Sequence, residues 1–197
     1  IGTWRSNEEK ERDLSKKLDG DIAKYKKAEG DAEKAIDVQK KEIGKCDEKI
    51  KQNDETIKSS DKTINETTPK ITSLKQRIGS LESEKQALMG YGDDGVDRSK
   101  QINELDTQIQ KLKSELEQLE KTKGEAEKAK GKAETEFKKY GELKTQAGID
   151  KKEADRLAEE FKTKGDDDEQ AKADKEKQLA GFKTKKEQLN TSKKKDS

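Results

Sequence analysis

The sequence predicts an all-α protein folded as a long antiparallel coiled-coil helical hairpin. Three observations predict this fold: a composition too polar for a broad core, a row of isoleucines at heptad spacing, and a Gly/Asp-rich segment near the middle of the chain. Charged residues make up 46% of the chain and hydrophobic residues 25%, whereas an ordinary globular domain is about half apolar and a quarter charged. This balance is compatible with disorder or with helices that each bury a narrow stripe. The isoleucine row favours the helices.

The first arm, residues 6–89, carries the heptad signal. Its isoleucines recur every 7 residues, and such a repeat keeps one stripe of a helix facing a partner helix. We name this row a and the row three residues later d. The d row is apolar near its ends, as at Leu18 and Leu81, but polar in its middle, as at Asn53 and Ser60, so pairing with a parallel copy of itself would be weak there. The predicted a residues of this seam are Ile36, Ile43, Ile50, Ile57, Ile64, Ile71 and Ile78.

Two local signals refine the first arm. Ser6 and Glu9 form a capping box, which predicts that the helix begins at Ser6 and that residues 1–5 are an N-terminal extension. Pro69 falls inside the arm without disturbing the heptad phase. We therefore expect either a kink or a fresh helix start there, with Pro69 in the first helical position.

Residues 90–97 predict the turn between the arms, because this segment contains three glycines and three aspartates. Gly90 suits the position just after a helix, and Asp97 can cap the next helix. A chain that folds back here brings residue i opposite about residue 186 − i, since short connections make antiparallel neighbours.

The second arm, residues 98–164, supplies the other half of the seam. Its d row continues with Ala126, Ala133, Tyr140, Ala147 and Ala154, which are mostly small, so the isoleucines of the first arm would mainly face alanines, large against small. The predicted seam residues at the start of this arm are Ile102, Leu105, Ile109, Leu112, Leu116 and Leu119.

Residues 165–168 predict a second break, in which Gly165 ends the arm and an aspartate starts a third, C-terminal helix. Residues 169–197 would then form this helix and a basic tail. Whether the last helix continues the second arm or folds back stays open at this point.

The composition excludes several classes of function. The chain contains no histidine, and its acids alternate with lysines on solvated faces, so we expect no catalytic residues, no cofactor and no enzyme activity. With 46 basic and 45 acidic side chains, no basic face is available for nucleic acid. No apolar run approaches the roughly 20 residues that span a bilayer. Cys46 lies at d and is expected to be a buried thiol, although a parallel dimer would instead bring two copies within disulfide distance.

Two acidic clusters are candidate Ca²⁺ sites. Neither matches the Ca²⁺-binding loop pattern of EF-hands. A solvated turn that caps a helix is the favoured interpretation of both clusters. Their residues are Asp93, Asp94 and Asp97 in the turn, and Asp166, Asp167 and Asp168 after Gly165.

Two features bear on localisation. The chain starts at Ile1 rather than at a methionine, which is consistent with a processed precursor, and Asn65 and Asn190 each begin a glycosylation triplet. These features favour a secretory granule or an extracellular assembly over the cytoplasm.

In architecture the chain resembles coiled-coil matrix proteins of extrusive secretory granules, such as ciliate trichocyst matrix proteins. The features that carry the resemblance are the start at Ile1, the isoleucine heptads and the acidic turn at Asp93–Asp97. The resemblance spans the whole chain and implies processing from a precursor, crystalline arrays and a response to calcium. A net charge of +1 departs from the acidic character of that group.

The function expected from the sequence is structural: a coiled-coil protein that assembles with itself or with related coiled-coil chains into a filament, bundle or lattice. One alternative is a tether or adaptor whose arms hold a partner helix, which predicts a discrete low-order oligomer. Another is a stress-protective chain that is disordered in solution, as the Lys/Glu/Ala/Gly-rich stretch 121–135 suggests. Circular dichroism separates the disordered chain from the other two.

Overall fold

A computed structural model describes the backbone of residues 2–195 and the side chains of residues 6–191. It consists of two long helices, α1 (Gly2–Met89) and α2 (Ser99–Lys195), which pack against each other. The predicted all-α helical hairpin is therefore confirmed. Ile1 lies outside the described residues, and so do the side chains of the lysines in the predicted basic tail, Lys193–Lys195.

The helices divide into two compact units. Unit 1 contains Ile1–Gly44 and Lys144–Ser197, and unit 2 contains Lys45–Leu143 with the turn. Unit 1 thus combines helical segments from distant parts of the chain, whereas unit 2 is one continuous stretch that reverses at the turn.

The core of unit 2 is a cluster of aliphatic residues close to the turn. Ile78, Ile109 and Leu112 are buried together, and three partly buried leucines pack against them. These leucines are Leu74, Leu81 and Leu116. Burial of a large aliphatic side chain contributes about 1.5–3 kcal/mol, so this cluster ties the two helices together where the chain reverses.

Unit 1 is held by a different set of contacts. The rings of Tyr25 and Phe161 stack with centroids 6.3 Å apart, and Ile22, Ala147 and Ala154 are buried between the helices. Gly165 is buried as well, and a Cβ atom placed on it would lie 3.8 Å from the Cβ of Tyr25. This is an ordinary van der Waals distance, so Gly165 lies directly against Tyr25 in the packed pair of helices.

The predicted break at residues 165–168 is wrong. Helix α2 continues through these residues to Lys195, and the described residues contain no third helix. The reason is tertiary packing: Tyr25 contacts both Phe161 and Gly165, and Lys26 pairs with Glu169 at 2.8 Å. Contacts on both sides of Gly165 outweigh its low helix propensity of about 1 kcal/mol relative to alanine.

The predicted start of the first helix also needs correction. Helix α1 begins at Gly2, so Ser6 lies inside the helix and is not its N-cap. The capping box at Ser6 and Glu9 is a local signal, and the helix extends past it into the segment predicted to be an extension.

Helix α1 continues through Pro69, so no fresh helix starts there. Pro69 is exposed, whereas Thr67 and Ile71 on either side of it are buried in the seam. The Thr67 hydroxyl donates to the Thr63 carbonyl at 2.7 Å, and the Thr68 hydroxyl donates to the Ile64 carbonyl at 2.7 Å. Burial of the residues on either side of Pro69 keeps α1 helical with an unchanged heptad phase, while the proline ring faces solvent.

We expect the substitution Pro69→Ala to stabilise the protein by up to about 3 kcal/mol, because it restores a backbone donor and removes the clash of the proline ring with the preceding turn. The measurement is urea unfolding followed by circular dichroism. Gly79→Ala is the matched control: Gly79 is exposed, a Cβ there meets nothing within 4 Å, and the expected gain is about 1 kcal/mol. A gain at Pro69 no larger than that at Gly79 would contradict the inferred strain.

Candidate functional site: the seam and the turn

None of the predicted seam residues is exposed in the structure. The predicted list therefore matches the side of each helix that faces the other helix. Buried members are Ile71, Ile78, Leu105, Ile109 and Leu112, and half-buried members are Ile36, Ile43, Ile50, Ile57, Ile64, Ile102, Leu116 and Leu119.

The register of the hairpin differs from the predicted one by about one helical turn. Gly165 lies against Tyr25, and the aliphatic cluster of unit 2 contains Ile78 with Leu112, and Leu74 with Leu116. These contacts place residue i opposite about residue 190 − i rather than 186 − i, which is the a-against-d pairing of antiparallel heptads.

We call a residue of α1 in the seam, together with the residue opposite it on α2, a layer. One kind of layer sets a large side chain against a small one. On this register Ile57 faces Ala133 and Ile64 faces Ala126 in unit 2, while Ile36 faces Ala154 in unit 1. Ala133 is only 3% exposed, so the alanine side of these layers is closed by the helix that carries the isoleucine. The sequence prediction of large against small is consistent with this arrangement.

The alternate layers set a small polar residue of α1 against a lysine of α2. Ser60 and Thr67 are buried d residues, and the register places Lys130 and Lys123 opposite them. The ammonium group of Lys130 leaves the seam and pairs with Asp61, the neighbour of Ser60, at 2.6 Å. The hydrogen bond to Asp61 raises the pKa of Lys130. The lysine stem thus covers the seam while its charge stays in water.

The same pairing of a seam lysine with an acidic residue of the other helix recurs in unit 1. Lys172 stands opposite Leu18 on the register, and its ammonium group pairs with Asp19 at 2.5 Å. The hydrogen bond to Asp19 raises the pKa of Lys172. In both units, therefore, a lysine at an a position of α2 pairs across the seam with an acidic residue of α1.

A second set of ion pairs flanks the seam. Its members join residues at the outer edges of the two helices, with distances of 2.8–3.4 Å. Exposed pairs of this kind contribute little to stability, but a helix shifted by one turn would place different charges opposite each other. The pairs are Lys26 with Glu169, Lys75 with Glu120, and Lys113 with Glu82.

The layer that contains Asn53 departs from both patterns. Asn53 is buried at d, and its Nδ2 amide nitrogen has no hydrogen-bond partner among the described residues. The register places Phe137 opposite it, where neighbouring layers carry lysine, and Phe137 is 40% exposed. A buried amide without an acceptor costs about 1–3 kcal/mol, so this layer is a weak point of the seam.

The register predicts a specific rescue. Ile57→Ala should destabilise the protein by about 1–2 kcal/mol, because it removes half-buried apolar surface and leaves a gap beside Ala133. Adding Ala133→Ile should recover most of this loss, since it reverses the large and small members of one layer. The measurement is the free energy of unfolding from urea titrations.

Ala126→Ile is the matched control for this rescue. Ala126 faces Ile64 rather than Ile57, so adding a larger side chain there should overpack its own layer and leave the gap at residue 57 open. Equal rescue by Ala126→Ile and Ala133→Ile would show that the register is not the one described.

The turn is fixed by hydrogen bonds and by two glycines. Arg98 donates from both terminal nitrogens to the two carboxylate oxygens of Asp94, at 2.9 and 2.7 Å, and its guanidinium lies 4.4 Å from the centre of the Tyr91 ring. Gly92 and Gly95 have φ angles of 70° and 77°, a region that other residues rarely adopt. The loop between the helices is consequently well defined.

Both helix ends at the turn are capped. The Gly90 amide donates to the Gln86 carbonyl at 3.0 Å, and the Ser99 amide donates to the Asp97 carboxylate at 2.9 Å. Asp97 thus has the capping role expected from the sequence, and Gly90 directly follows the last residue of α1, as expected, but without the positive φ of a left-handed cap. Arg98 is not among the residues predicted from the sequence, although its spacing of four residues from Asp94 is an ordinary signal for an ion pair.

The acidic residues of the turn are engaged within the chain. The side-chain hydrogen bond from Arg98 lowers the pKa of Asp94 to about 2, and hydrogen bonding to Ser99 lowers the pKa of Asp97. Asp166, Asp167 and Asp168 occupy consecutive positions of α2, so their side chains point in directions about 100° apart. Among the described residues, no group of three His, Cys, Asp or Glu side chains is arranged to hold a metal ion.

The two parallel hydrogen bonds from Arg98 to Asp94, which we call the fork, have a measurable consequence. In the folded protein Asp94 should titrate near pH 2, below its ordinary value of 3.8, so its contribution to stability is present above pH 3.8 and is lost as the pH falls through 2. Arg98→Gln should move the titration midpoint back toward 3.8. The measurement is the carboxyl carbon shift of Asp94 by NMR.

Arg12→Gln is the control, because Arg12 forms the same kind of i, i+4 ion pair with a different carboxylate, that of Glu8. An Asp94 midpoint that is the same in Arg98→Gln as in the wild type would show that the fork does not hold the carboxylate in solution.

Cys46 is buried at its predicted d position as a free thiol. In the part of the chain that the structure describes, neither helix has an apolar stretch long enough to cross a membrane. Comparison with known proteins does not extend these observations: no protein family, no curated protein and no solved structure matches the chain.

Proposed function

We propose that this chain is a structural coiled-coil protein that assembles with itself into a filament, bundle or lattice. The observation that carries the proposal is that the seam pairs α1 with α2 of the same chain, which leaves the outward faces for contacts between copies. Those faces are dense in charge and nearly neutral, since the chain has 46 basic and 45 acidic side chains. The proposal assigns the protein an architectural role rather than catalysis.

Near-neutrality supports side-by-side packing. A protein that stays monomeric usually carries a net charge well away from zero, whereas this chain has a net charge of +1. Interleaved charges of both signs on one molecule can pair with those on another, and mutual repulsion between copies is small.

Exposed apolar residues add a second kind of contact. Leu14, Val38 and Ile149 of unit 1 and Leu143 of unit 2 are large apolar side chains with 44–56% of their surface exposed. Scattered singly, such residues are ordinary. Along neighbouring molecules in a bundle they would each bury additional surface.

A tether or adaptor is the second candidate, and one specific observation favours it. The layer of Asn53 and Phe137 has an amide without an acceptor and a large exposed ring. A partner helix that covers Phe137 and offers a carbonyl to Asn53 would satisfy both. This candidate differs from the first in requiring a discrete complex of fixed size.

A narrower form of the first proposal is a matrix protein of a secretory granule or an extracellular assembly. It rests on the resemblance in architecture to trichocyst-type matrix proteins. A response to calcium, which this resemblance implies, would then act on the assembly. This form makes its own prediction, since added Ca²⁺ should change the state of the assembly.

The decisive experiment is sedimentation velocity with electron microscopy over a range of protein concentrations, at low and high salt and with and without Ca²⁺. We expect extended assemblies at low salt that dissolve at high salt, because added ions screen charges separated by more than about 10 Å at 0.1 M. A discrete oligomer would favour the tether, and a monomer under all conditions would overturn the proposal. Circular dichroism on the same samples tests for the disordered alternative, which would show little helix.

A further inference from the structure

The turn presents a small apolar surface on a fixed loop. Met89, Tyr91 and Val96 are 63%, 60% and 60% exposed. These are three large apolar residues within eight positions of the chain, whereas other exposed apolar residues of the described helices occur singly. Exposed apolar residues this close together are typical of a contact surface.

The loop that carries these residues is already ordered. Arg98 holds Asp94 through two hydrogen bonds and lies over the Tyr91 ring, and the Val96 amide donates to Asp94 at 3.1 Å. A binding surface that is ordered before binding loses less conformational entropy on association. The network therefore positions the apolar side chains for a partner.

The charge of the turn indicates the chemistry of that partner. Residues 89–97 contain three aspartates and no lysine or arginine. Arg98 neutralises Asp94, which leaves Asp93 and Asp97 as the excess negative charge. A basic segment with an apolar residue of its own would complement this surface in both respects.

Such a segment exists at the other end of α2. Residues 183–195 contain six lysines and one glutamate, and Lys183, Lys185 and Lys186 are exposed. Leu189 lies on the same segment and is 56% exposed. The acidic, apolar turn and this basic segment with its leucine are complementary surfaces on one chain.

We propose that the turn of one copy binds the basic segment 183–195 of a second copy, so that the chains join head to tail. This inference rests on the proposed self-assembly and specifies one of its contacts. The two surfaces are different parts of the molecule, so the contact is heterologous, and a heterologous contact that does not close into a ring produces an open chain of subunits. Lysines 183, 185 and 186 would face Asp93 and Asp97, and Leu189 would cover Val96 and Tyr91.

A pair of charge-reversed variants tests the contact. The turn variant carries Asp93→Lys and Val96→Lys, two exposed positions whose side chains have no role in the fork or the caps. The tail variant carries Lys185→Glu and Lys186→Glu. Each variant alone should raise the protein concentration needed for assembly by about tenfold or more, since about 1.4 kcal/mol lost from one contact is a tenfold change in affinity.

Mixing the two variants in equal amounts should restore assembly. The lysines of the altered turn meet the glutamates of the altered tail, and the unaltered turn of the second variant meets the unaltered tail of the first. The matched control is Lys16→Glu with Lys17→Glu, an adjacent pair of exposed lysines outside the proposed contact. Circular dichroism establishes that every variant keeps its helix content.

The outcomes separate this contact from the broader proposal. If the wild type assembles and both variants assemble at the same concentration as the wild type, the head-to-tail contact is excluded and self-assembly through other faces stands. If the variants are impaired no more than the Lys16 and Lys17 control, or if mixing fails to restore assembly, the contact is likewise excluded. If the wild type stays monomeric throughout, both proposals fall together.

Discussion

Outside the aliphatic cluster beside the turn, the structure depends on one constraint: the seam between α1 and α2 alternates layers that bury an isoleucine with layers that carry a polar residue. In the first kind of layer an isoleucine of α1 covers an alanine of α2, and in the second a lysine of α2 lies over a small residue of α1. Both helices are needed for either layer, because a copy of α1 facing itself in parallel would place Asn53 and Ser60 against their own copies. The alternation therefore favours the pairing of two different helices, and the turn provides them in one chain.

Specificity of register comes mainly from the polar layers. An isoleucine packs almost as well against one alanine as against the next, so the large-and-small layers alone allow the helices to slide by a heptad. Lys130 with Asp61 and Lys172 with Asp19 link particular positions, and the outer pairs such as Lys113 with Glu82 add to them. These exposed pairs contribute little free energy, but a slipped register would lose several of them at once.

Much of the fold follows from the sequence because the heptad is a strong, long-range signal. The isoleucine row identified the inner face of α1, and Gly90 and Asp97 identified the ends of the two helices at the turn. Local breaker signals were less informative, since Pro69 lies on the outer face of α1 and Gly165 lies where Tyr25 and Phe161 hold α2 in place. The register could not be predicted to the residue, because it depends on the length and conformation of the loop, including the fork between Arg98 and Asp94. The exposed apolar residues of the turn were not identified either, because exposure depends on how the loop folds.

The uneven seam also affects how the protein moves. Between residues 53 and 67 the d positions of α1 are Asn53, Ser60 and Thr67, and none of them gains much free energy from burial. By contrast, the aliphatic cluster beside the turn contributes several large side chains. Local separation of the helices requires least free energy where apolar burial is smallest, so among the helical amides of unit 2 we expect those around Asn53 to exchange with solvent before those around Ile78. The helices of unit 2 therefore separate more easily around Asn53 than around Ile78. Tension applied along the helices would separate them first, and transiently, around Asn53.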